Sequence, residues 1–82
     1  MNLVILTPDK ELFHGKVTSV NVPAIDGRFE VLKGHAPIVA ALGKGEVRYQ
    51  PTKGEKKSLR IENGFIEVLR NEVSLLVTGV VE

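Results

Sequence analysis

Three serines, two histidines and a scatter of carboxylates and lysines are the side chains of this sequence that could do chemistry, since it contains no cysteine. Acyl transfer needs a nucleophile, a base and a group that orients the base. Ser19, Ser58 and Ser74 each lie in or beside a stretch of alternating apolar and polar residues, and none sits in a Gly-x-Ser-x-Gly elbow. They read as ordinary strand serines. A metal centre needs three or four converging ligands. His14 and His35 stand far apart in the chain, each without an acidic residue two or four places on, and His14, between Phe13 and Gly15, reads as a surface residue in a turn. The "GKGE" of residues 43–46 lacks the spacing of a phosphate loop, and no helical pattern follows it. Asp26 and Glu30 flank a turn and read as solvated charge rather than as an acid–base pair. Lys53, Lys56 and Lys57 make a small basic tip without aromatics on which bases could stack. The sequence therefore reads as a non-enzyme, with no catalytic residue, no metal and no cofactor expected.

The stretch "VLKGHAPIVAAL" (residues 31–42) is shaped rather than reactive. Gly34 can take a positive φ and redirect the chain. Ala36 precedes a proline and is biased to extended geometry, and Pro37 fixes φ where an edge strand tolerates it. The group forms a corner that presents His35. Two readings of that histidine stand side by side: its ring bonds nearby backbone, or it touches a partner.

The elements that would hold these residues are all strands. Short alternating runs at 3–7, 17–22, 28–32, 38–42, 46–50, 58–62, 65–69 and 73–78 are separated by turn chemistry, the pattern of an all-β sandwich or barrel. No stretch carries a helical apolar stripe over three turns. Asn63-Gly64 is expected to form a type I′ hairpin turn between 58–62 and 65–69, because both residues tolerate positive φ. The last two runs, around Phe65-Ile66, Val68-Leu69 and Leu75-Leu76-Val77, are apolar on both faces. One face is core; the second wants a partner to cover it.

At 82 residues the chain is expected to be one domain, 1–82, with a small core. Eleven basic against ten acidic side chains give a net charge of +1, which argues against binding to nucleic acid or membrane by bulk charge. No apolar run is long enough to span a bilayer, and no signal peptide is read at the start. Any membrane association would be indirect.

"TPDKELFHGKVTSVNVPAIDGRFEVLKGHAPIVAAL" resembles the amino-terminal half of the ε subunit of F-type ATP synthases, with the family's Gly-His-Ala-Pro at residues 34–37. Downstream, "IENGFIEVLRNEVSLLV" is similar to the family's Gly-Gly-Phe-x-Glu-Val and Asn-x-Val. The resemblance covers the chain in order. It implies a flattened two-sheet β-sandwich of about eight to ten short strands. It also implies a rotor subunit that catalyses nothing, links the γ subunit to the c-ring, and lies on the cytoplasmic face of a bacterial inner membrane or its organellar equivalent. Expected γ contacts are Thr7, His35, Ile38 and Leu42. Expected c-ring contacts are Asp26, Gly27, Arg28 and Glu30, and the loop-shaping residues are Gly34, Pro37, Asn63 and Gly64.

Two departures stand out. The family commonly has Glu-Gly-Glu-Phe-Gly where this chain has Asp26-Gly27-Arg28-Phe29-Glu30, so Arg28 reverses a charge, and Lys33 stands where the family often has proline. Most family members also continue into a helical hairpin that binds ATP or blocks rotation, whereas this sequence stops at Glu82. With Glu82 as the expected native terminus, no ATP is bound by this domain and hairpin inhibition does not operate. Two other readings remain from the residues alone: a β-sandwich module binding an unrelated protein, and an oligonucleotide-binding barrel, against which the charge and the single Tyr49 count.

Overall fold

The computed structural model describes residues 1–81; Glu82, and the expectation about the terminus, lie outside the described residues. The strands in chain order are β1 (Asn2–Leu6), β2 (Glu11–Val22), β3 (Phe29–Leu32), β4 (Ile38–Leu42), β5 (Gly45–Pro51), β6 (Lys57–Ile61), β7 (Asn63–Leu69) and β8 (Glu72–Thr78). The long β2 organises them. Its first half pairs with β1, its second half with β3 and β5, and its register slips between Val17 and Ser19. An irregularity of that kind bends a strand, and here β2 passes from one sheet into the other. One sheet runs β4-β7-β8-β1-β2; the other runs β3-β2-β5-β6. His14 thus stands within β2, opposite Val4, and not in a turn.

Alternation decides what each strand buries. Leu3 and Ile5 of β1, Ile66 and Val68 of β7, and Val73, Leu75 and Val77 of β8 point inward from the first sheet. Val20, Val22, Val31, Val47, Tyr49, Leu59 and Ile61 meet them from the second. Each full burial of such an aliphatic side chain is worth about 1.5–3 kcal/mol. Among the described residues no charged side chain is buried, and Tyr49 brings a phenolic hydroxyl to the edge of an otherwise apolar core. The body is flattened, 27 × 26 × 19 Å.

The expected hairpin at Asn63-Gly64 does not form. β6 pairs with β5, while β7 pairs with β4 and β8, so the chain crosses between the sheets at Glu62 and Asn63 already pairs with Thr78. The left-handed turn lies one strand later, where Arg70 (φ 50°) and Asn71 (φ 64°) join β7 to β8. Gly64 answers a different need. A Cβ there would stand 2.4 Å from the Leu76 carbonyl oxygen of the facing strand.

Candidate functional site

The corner before β4 is a β-turn in which the His35 amide donates to the Leu32 carbonyl at 3.0 Å. Gly34, third in that turn, has φ 86°, the value a type II turn requires there. The His35 ring lies against Phe29 with centroids 6.1 Å apart, and its Nδ1 is 2.6 Å from the Ala36 carbonyl oxygen. Pro37 then leads into β4, which closes one end of its sheet; among the described residues β7 is its one strand partner, and Leu42 bridges to Ala24 on the other edge.

Along β4, Val39 and Ala41 face outward, and Ile38, Ala40 and Leu42 face inward. Leu42 is 1% exposed and belongs to the core. It has no surface to offer γ, and the expected contact at that position is corrected. The sequence left the phase of "IVAAL" open, because every residue in it is apolar. Ile38 is half-buried and packs on the core. Thr7 is half-buried too, with its hydroxyl used locally: Oγ1 accepts from the amides of Asp9 (3.3 Å) and Lys10 (3.1 Å). Thr7, His35, Ile38 and Leu42 therefore do not share one outward face.

The residues that do share one are different. Cross-strand register puts Ala41 beside Phe65, Phe65 beside Leu76, and Leu76 beside Leu6. This row crosses four adjacent strands on the outside of the first sheet. Phe65 is 57% exposed, Leu76 49% and Leu6 36%. Val39 at 68% and Leu69 at 51% extend it. The only sequence signal for this face was the doubled apolar pattern of β7 and β8, which identified the strands but not the row.

The turn that follows β2 adjoins it. The Gly27 amide donates to the Ala24 carbonyl at 3.0 Å and closes the turn, and the Ile25 amide donates to the Ala41 carbonyl at 3.0 Å, tying it to the β4 edge. A groove of about 460 Å³ lies there between Ile25, Gly27, Phe29 and Val39. Asp26, Gly27, Arg28 and Glu30 are all exposed. The Arg28 guanidinium is turned back on the chain: it donates to Asn21 Oδ1 and, through Nη2, to the Glu46 carbonyl at 2.7 Å. Arg48 Nε donates to Glu46 Oε1 at 2.6 Å, and that bond holds the Glu46 carboxyl below its ordinary value of 4.5. The reversed charge at residue 28 is thus engaged within the sandwich, and Asp26 is the acid left on the turn.

Among the described residues no group of three or more His, Cys, Asp or Glu side chains is placed to hold a metal ion. The whole chain, residues 1–82, matches the family described as "ATP synthase, Delta/Epsilon chain, beta-sandwich domain". The chain belongs to that family. The ATP synthase epsilon chain of Chlorobium limicola is 47% identical to it over 78 residues, covering 95% of this chain and 89% of the relative. A chain in the Euglena gracilis mitochondrial ATP synthase, in an OSCP/F1/c-ring assembly, superposes with a TM-score of 0.88 at 25% identity over 96% of this chain. One in the Tetrahymena thermophila mitochondrial central stalk and c-ring gives 0.83 at 16% identity over 99%, which speaks for the fold alone. This chain spans 51% and 65% of those two solved chains. The epsilon-chain sandwich is therefore the frame for the exposed row, and the reading as an unrelated binding module is set aside.

Proposed function

We propose that the chain serves as a structural, non-catalytic subunit of the central rotor of a proton-translocating F-type ATP synthase. It packs its outer sheet face on the γ subunit and rests the turn at residues 26–28 on the loops of the c-ring. The observation that carries this reading is the row Ala41–Phe65–Leu76–Leu6. Apolar surface running unbroken across four strands of so small a sandwich is what a lasting protein contact leaves when the partner is removed. The two solved relatives come from assemblies that contain a c-ring, and the γ subunit is the partner that the sequence resemblance implies. Such a subunit is peripheral to the membrane, on the cytoplasmic face in a bacterium, and reaches it through the c-ring.

A tagged copy, recovered from its own membranes, should retain both γ and the c-ring; recovery of neither would overturn the reading. The turn gives a sharper outcome. Asp26 is exposed and meets no cation among the described residues, which leaves it available to a basic loop. Asp26→Lys should lower c-ring retention roughly tenfold while γ retention is unchanged, because a like charge at a contact is costly. Undiminished co-purification with the c-ring would remove Asp26 from the contact.

A further inference from the structure

The apolar face carries a carboxylate that an apolar partner would leave unsatisfied. Glu67 lies inside it: Phe65 and Leu69 flank it two residues away on the same side of β7, Val39 is its neighbour across the β4 pairing, and Ser74 its neighbour on β8. Glu67 is exposed and forms no hydrogen bond or ion pair with any described residue. The nearby acid Glu72 differs, since Asn2 Nδ2 donates to it at 2.7 Å. The basic groups of this face, His14 and Lys16, stand at its far side on β2, and His14 lies 3.6 Å from Glu11. Beside Glu67 a shallow depression of about 280 Å³ opens, walled by Pro37, Val39 and Leu69.

Covering a carboxylate without a partner strips its water and returns nothing in exchange. The depression and the acid together fit one kind of side chain. A long cationic residue can lay its methylene stem on Val39 and Leu69 and bring its charged end to the carboxylate. Resting on the γ reading above, we infer that Glu67 selects the chemistry of the docking segment. The γ surface that covers this face is apolar and interrupted by a single arginine or lysine, whose stem fills the depression and whose head pairs with Glu67.

Binding of purified γ to the wild-type chain, Glu67→Gln and Leu76→Asp in one assay tests this. Glu67→Gln keeps the shape and removes the charge; at an exposed site its thermal midpoint should equal that of the wild type. Its affinity for γ should fall at least roughly thirty-fold, mainly through faster dissociation, as when one member of a buried charge pair is removed. If Glu67→Gln binds within about threefold of wild type while Leu76→Asp fails to bind, the face meets γ but no cation sits on Glu67, and the inference is overturned alone. If both variants bind like wild type, the face is not the γ contact and both readings fall together.

Discussion

Leu76→Asp should leave the sandwich folded and release it from the γ subunit. Leu76 is half-exposed at the centre of the outer row, between Phe65 on β7 and Leu6 on β1. Its side chain points away from the core, so the folded state loses only the strand preference of leucine over aspartate, about 1 kcal/mol or less. Docking is another matter. The contact loses the burial of a leucine, about 1.5–3 kcal/mol, and must also dehydrate a carboxylate with no partner, which costs several more. Affinity for γ should fall by roughly a thousand-fold or more. Thermal unfolding of the isolated variant separates the two effects. A variant that melts near the wild type and still binds γ within tenfold would place the contact elsewhere.

The second large effect concerns folding. Gly64→Ala would set a methyl 2.4 Å from the Leu76 carbonyl oxygen and 3.1 Å from the Val77 Cα. Both are backbone atoms of the facing strand, so no rotamer change can relieve the overlap. β7 and β8 would have to separate where Gly64 pairs with Val77, next to the buried Val77 side chain. Overpacking costs typically about 1–3 kcal/mol, and a clash with backbone belongs at the upper end. A chain of this size has about 4–12 kcal/mol in all, so the loss is a large share. The thermal midpoint should drop by about 10–20 °C. A drop of less than about 3 °C would mean that the strands yield more easily than their pairing implies.

These two residues also mark what was legible in the sequence. The strands themselves were, because β-branched residues alternate with polar ones, as at Val47 and Tyr49, and each buried face follows from that period. The partnering was not. β1 pairs with β8 in parallel, Asn2 opposite Glu72, and no local signal joins the two ends of a chain. Asn63-Gly64 carried a strong hairpin signal, yet long-range pairing of β7 with β4 and β8 overrode it, and Gly64 serves close approach instead of a turn. Arg70 and Asn71 hold the left-handed turn without a glycine, so that turn was marked only by its polarity.

The candidate site divides in the same way. The doubled apolar pattern of β7 and β8 announced a face that needs covering. Which residues of β4 belong to it could not be decided in "IVAAL", where inward and outward positions are equally apolar. Leu42, an expected γ contact, proves to be core. Arg28 shows a different blind spot: its charge is plain in the sequence, but its bonds to Asn21 and the Glu46 carbonyl exist only once β2, the turn and β5 are brought together.

The most direct test of the docked face uses the absence of native cysteine. Leu76→Cys gives the chain a single thiol on the row, and Lys53→Cys gives a control thiol in the loop between β5 and β6. Maleimide labelling rates would be compared for each variant alone and after assembly with γ and the c-ring. A rotor subunit held by this face should lose labelling at residue 76 by at least roughly tenfold on assembly, with residue 53 unchanged. Equal labelling at residue 76 in the free and assembled states would contradict the account, since an apolar row that remains open to solvent in the complex is not what joins this sandwich to γ.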